Sequence, residues 1–134
     1  MTTFLDKSPN TREPFNPDRF EARSRAAQAI AVHFGAPVTN GLRETAQGGS
    51  STSLHLKSSG GLAFDFGGPD ADKERRLCEW AASHPELFQE VMHHDKVRLA
   101  HLEVKKHAFH LPCRMQMPLL RILEAQLRVE DLQL

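Results

Sequence analysis

The stretch from Ser50 to Gly68, Ser-Ser-Thr-Ser-Leu-His-Leu-Lys-Ser-Ser-Gly-Gly-Leu-Ala-Phe-Asp-Phe-Gly-Gly, constrains this chain more than any other. A serine-rich segment carries His55, a glycine pair follows at Gly60 and Gly61, and an apolar run from Leu62 to Phe66 encloses Asp65. The apolar run reads as a strand. A carboxylate set between Phe64 and Phe66 then needs a partner, because an unpaired buried charge is costly. A satisfied structural acid is one solution and a metal ligand is another. His55, upstream on its serine-rich turn, weighs towards the second, since imidazole and carboxylate are both zinc ligands.

The segments on either side supply ordinary scaffolding. Residues 1–15, with Pro9, Pro14 and polar neighbours, read as an extended N-terminal arm, and residues 16–134 as a single domain. Asn16 is placed to cap a helix that Pro17 opens, with Asp18 at the positive end of its dipole. Phe20, Ala27, Ile30, Ala31 and Phe34 share one face of it. Gly35 stops the helix and Pro37 keeps it from resuming. Pro37 to Arg43 reads as a short strand ending in a turn, and residues 44–52 as a Gly/Ser-rich loop. A second helix is expected after Pro69, capped by Asp70, with Leu77, Cys78, Trp80 and Ala81 inward, and Ser83-His84-Pro85 breaks it. Leu87 to Met92 fits either a helical turn or a buried strand. Residues 117–132 read as an added amphipathic helix with Leu119, Leu120, Ile122, Leu123 and Leu127 on one side, and Glu124 with Arg128 as a supporting i,i+4 pair. The fold class is therefore α+β, a small mixed or antiparallel sheet with flanking helices.

Composition narrows the function classes. At 134 residues the chain can bury a core without staples. Its formal charge is zero, so no basic field points to nucleic acid or a membrane surface. No apolar run approaches the ~20 residues of a membrane span. Residues 1–7 lack the basic start and apolar core of a signal peptide, so the expected place of synthesis is the cytoplasm. The two cysteines, Cys78 and Cys113, form no ligand cluster and suit a reducing compartment. Eight histidines are many for this length and favour metal or pH-dependent chemistry.

Ser53-Leu54-His55 followed by Gly61-Leu62-Ala63-Phe64-Asp65 resembles the metal-binding motif of the zinc D,D-carboxypeptidase and L,D-endopeptidase family, which cuts bacterial cell-wall peptides and includes many phage endolysins. That motif runs Ser-x-His, a short spacer, then Gly-x-Ala-x-Asp. Five residues, Leu56 to Gly60, separate the halves here, where the family usually has two; a turn would absorb the difference. The resemblance spans roughly residues 26–91 and implies a hedgehog/D,D-peptidase-like fold with a strand at 87–92. It also implies a zinc cofactor held by His55 and Asp65, and Arg43 and Ser53 at the substrate, with the Arg43 guanidinium forking onto a carboxylate.

The family takes its third ligand from a late histidine, with an acid close by as general base. His107-Ala108-Phe109-His110 most resembles that cluster, so the implied set is His55, Asp65 and His110, with Glu103 as base. His93, His94, His101 and His107 remain alternatives, and Glu90-Val91-Met92-His93 is the rival base-and-ligand pair. The implied activity is cleavage of peptidoglycan stem peptides, acting on the cell wall as a monomer. The other reading is a non-catalytic relative that keeps the fold as a binding or accessory module. The stretched spacer and the added helix motivate it.

Overall fold

The computed structural model describes residues 1–6, 11–42, 44, 53–68, 70–105 and 108. Arg43, His107, His110 and the expected helix over 117–132 lie outside the described residues. The first helix, α1 (Pro17–Phe34), forms where its caps dictate. The Asn16 side chain accepts from the Arg19 N–H, Pro17 opens the first turn, and Gly35 at φ 68 closes the last one, its N–H donating to the Ala31 carbonyl. Ala22, Ala26, Ala27, Ile30 and Ala31 are buried along its inner face, and Phe20 and Phe34 pack at the margin of the core. The second helix, α2 (Ala71–Ala82), begins at Asp70, whose carboxylate accepts from the N–H groups of Asp72 and Lys73. It buries Leu77, Cys78, Trp80 and Ala81, as the sequence pattern required, and Glu74 with them.

Among the described residues, five strands make one antiparallel sheet: β1 (Thr2–Asp6), β2 (Val38–Asn40), β3 (Ala63–Gly67), β4 (Phe88–His94) and β5 (Leu99–Val104). Their spatial order is β1-β4-β5-β3-β2. The ambiguous segment after α2 is thus a strand. The first residues are extended, as expected, yet they do not stand apart as an arm. Thr2–Asp6 pairs with β4 and forms one edge of the sheet.

Side-chain alternation then sorts the strand residues into two faces. Phe64 opposes Leu102 and Phe66 opposes Ala100 across β3 and β5. These four join Ala26, Ala27 and Ile30 of α1 with Leu77 and Cys78 of α2 in one apolar core. The intervening residues point away from the helices: Asp65 opposes His101, and Ala63 opposes Glu103. On the far side of β5, Glu90 opposes Glu103 and Met92 opposes His101. Both helices therefore cover one face, and Asp65, Glu90, His101 and Glu103 converge on the other. Among the described residues, no helix is long and apolar enough to cross a membrane.

Candidate metal centre

The glycine-bearing loop solves the spacing problem set by the long spacer. Leu56 to Gly60 fold into a single 3-10 turn, Lys57–Ser59, rather than extending the chain. The Gly61 N–H donates to the Leu56 carbonyl at 3.0 Å, and the N–H groups of Leu62 and Ala63 donate back to the Leu54 carbonyl at 2.8 and 3.2 Å. The loop is a closed detour, and His55 is returned to the mouth of β3. Gly60 and Gly61 sit at φ 103 and 64, where side-chain-bearing residues are strained. A Cβ on Gly60 would lie 2.7 Å from the Glu13 carbonyl oxygen, and one on Gly61 would lie 2.9 Å from Leu42 Cδ1.

His55 and Asp65 meet as the motif implies, with His55 Nε2 at 3.2 Å from Asp65 Oδ2 and both residues buried. The His55 Nδ1–H donates to the Gly41 carbonyl at 3.0 Å, which fixes the ring and turns Nε2 towards the acid. Asn40 Nδ2 donates to Asp65 Oδ2 at 3.3 Å. The histidine that joins them is His101, whose Nδ1–H donates to Asp65 Oδ1 at 2.7 Å. Its Nε2–H donates to Glu103 Oε2 at 2.8 Å, and Glu90 Oε1 lies 3.5 Å from the same nitrogen.

Ionised carboxylates only accept, so both His101 nitrogens carry protons in this arrangement and the ring is an imidazolium. Its pKa follows. Burial works to lower it, but the hydrogen bonds to Asp65 and Glu103 and the charges behind them prevail and lift it to about 9. Burial likewise works to raise the pKa of Asp65. The hydrogen bonds from His101 and His55, with their charge, outweigh that and hold its carboxyl well below the usual carboxylate range.

The donor set suits a divalent metal. His55, Asp65 and His101 each offer a ligand atom, His101 once a ring proton is displaced, and these atoms all lie within 4.8 Å of one another. Two imidazoles and a carboxylate leave one position open, which is the pattern of catalytic rather than structural zinc. The outer groups fit as well: the Gly41 carbonyl holds the second nitrogen of His55, and Glu103 that of His101, as partners of metal-ligating histidines do. A second group within the same 4.8 Å limit, Glu90, His101 and Glu103, shares its histidine with the first.

The remaining sequence candidates fall elsewhere. His93 is buried on the helix-facing side, with Nε2 at 3.1 Å from Glu74 and Nδ1 at 2.9 Å from Asp95. His94 opposes Leu99 at the end of β4. Ser53 Oγ accepts from the His55 N–H at 3.2 Å, so it braces the ligand's own turn. The sequence reading singled out neither Asn40 nor Gly41 and named His101 only as one histidine among several. The alternation in Leu99-Ala100-His101-Leu102-Glu103-Val104 was the available signal, since it places His101 and Glu103 on one face of a strand. The chain matches no protein-family model, no curated protein and no solved structure.

Proposed function

We propose that this chain is a zinc-dependent peptidase that cleaves peptidoglycan stem peptides. The observation that carries this reading is the convergence of His55, Asp65 and His101 from three separate segments on the face of the sheet opposite α1 and α2. The motif residues Ser53 to His55 and Gly61 to Asp65 supply the substrate class, through their resemblance to the cell-wall peptidases. Zinc bound by these three residues supplies Lewis acidity, which polarises a peptide carbonyl and eases deprotonation of water near neutral pH.

The chain's own groups do the rest. The Gly41 carbonyl and Glu103 hold the two imidazoles in register, and Asn40 steadies Asp65. Glu103 takes the proton from the attacking water and returns it to the leaving amine, in keeping with its place beside His101. Glu90, opposite Glu103 across β4 and β5, is the second carboxylate at the same nitrogen. Arg43, one residue beyond Leu42, takes the substrate carboxylate. Chelation followed by zinc replacement, with stem-peptide cleavage read by mass spectrometry, tests the reading. Activity should vanish and return; cleavage that ignores the chelator contradicts it.

One observation favours a second reading, a non-catalytic binding or accessory module. His101 is fully satisfied at 2.7 and 2.8 Å by Asp65 and Glu103, so the cluster holds together as a buried hydrogen-bonded network without an ion. On that reading, added zinc changes neither stability nor activity.

A further inference from the structure

We infer that Glu13 and Arg23 act as positioning residues that set how His55 is presented to the site. This inference rests on the metal-site reading above. Arg23 lies on α1 and is 1% exposed, yet it carries a permanent charge in the core. Its guanidinium pairs with Glu13 Oε1, and its Nη1 donates to the Gly60 carbonyl at 3.3 Å. Glu13 is itself 8% exposed, and its other oxygen accepts from Arg19 Nη1 at 2.9 Å. The Glu13 N–H donates to the Ser59 carbonyl at 3.4 Å.

The consequence is a clamp on the long spacer. Its last two residues, Ser59 and Gly60, are held from outside by Glu13 and from the core by Arg23. The strap bearing Glu13 is anchored in turn. The Thr11 N–H donates to Gln89 Oε1 at 2.7 Å, and Gln89 Nε2 donates to the carbonyls of Thr11 and Val104 at 3.1 and 2.9 Å. Val104 follows Glu103 on β5. One chain of contacts therefore ties the loop that carries His55 to the strand that carries His101. The loop's own backbone hydrogen bonds, between Ser53 and Ala63, close it on itself, and Glu13 and Arg23 seat the closed loop against the strap and α1. A buried ion pair with one partner on the strap and a hydrogen bond to the loop makes a slack loop costly, because loosening it takes the Gly60 carbonyl from a buried guanidinium donor.

The test compares Glu13→Gln with Gln89→Leu, which frees the strap at Thr11 and leaves both charges and the loop's own residues intact, and with Leu77→Val as a core control on α2. Two signals are read on folded protein, with folding checked by circular dichroism. One is the His55 ring N–H to Gly41 bond, seen in imidazole nitrogen-proton correlation spectra of metal-free protein. The other is cobalt affinity from its visible absorption. The expected result is loss of the His55 ring signal and cobalt binding weaker by about 10-fold in Glu13→Gln and Gln89→Leu, with Leu77→Val at wild-type values. Should Glu13→Gln not fold, Gln89→Leu decides alone. Wild-type signals in the folded strap variants overturn the inference. A wild-type protein that binds no cobalt removes the metal reading instead, and the His55 ring signal still decides the clamp.

Discussion

At the scale of single residues, His101 is where the electrostatics concentrate. Both its nitrogens donate to carboxylates, and its pKa stands at about 9, above the ~6.5 of an unfolded histidine. A group raised on folding contributes stability that is fully present below its unfolded pKa and is lost as pH rises through its folded one. Asp65 behaves in the opposite sense: its contribution is present above ~3.9 and fades as pH falls. Metal-free protein should accordingly be most stable between about pH 4 and 6.5 with respect to this pair, and lose stability from 6.5 towards 9. Urea unfolding of the metal-free chain at several pH values checks this, and His101→Gln should flatten the alkaline limb. An alkaline limb unchanged in His101→Gln assigns it to another group.

The two acids beside His101 give a second expectation at this scale. Removing a general base without removing a ligand lowers turnover by about 10²–10⁴-fold and leaves metal content alone. Glu103→Gln should show that loss of turnover at saturating metal, with metal affinity weakened by about 10-fold because Glu103 also holds His101, and Glu90→Gln a smaller loss of turnover. The reverse order would move the base to β4. The sequence made His55 and Asp65 legible because they lie ten positions apart within one motif. It left the third member of the cluster open because His101 is recruited by strand pairing. Only the register of β3 against β5 brings Asp65 opposite His101, and no local pattern encodes that register. The cluster at 106–111 drew the implied ligand towards His110, which lies outside the described residues.

At the scale of elements, caps and breakers did most of the specifying. Asn16 starts α1, Gly35 ends it and Asp70 starts α2, each through a local hydrogen bond involving the backbone that a short window of sequence can reveal, and Pro17 presets the first turn of α1 through its fixed φ. Thr2–Asp6 was legible only as extended. Its partner, β4, lies far along the chain, and a five-residue strand carries no mark of the strand it will join. The spacer loop is the element on which the site depends most. Gly61 at φ 64 has Leu42 and Phe20 within 3.1 Å of a would-be Cβ, so Gly61→Ala incurs both backbone strain and a clash. A loss of about 1–3 kcal/mol is expected, with the larger share of the structural change at His55. Chemical denaturation measures the first, and histidine ring spectra the second. A neutral substitution would show that the loop tolerates another path.

At the scale of the whole molecule, the sheet separates two tasks. One face is sealed by α1 and α2 over an apolar core, and the other gathers Asp65, Glu90, His101 and Glu103, so variants of these residues need not disturb the packing that holds the fold. The core can be probed independently through Cys78. Burial first, and then the charges of Glu74, Glu79 and Asp95, push its thiol up to about 12, and thiolate is the reactive form. Cys78 should resist iodoacetamide at pH 8 in native protein and react once denaturant is added, as read by peptide mass mapping. Rapid native modification would mean that α2 opens readily from the sheet.

The central claim is that His55, Asp65 and His101 together hold one zinc ion, and zinc stoichiometry tests it most directly. Protein stripped by chelator, dialysed against zinc at pH 7.5 and assayed by elemental analysis should carry one zinc per chain. His55→Ala, Asp65→Asn and His101→Ala should each lose it, while His110→Ala should keep it. A wild-type chain without zinc, or a His101→Ala protein that retains it while His110→Ala does not, would contradict the account.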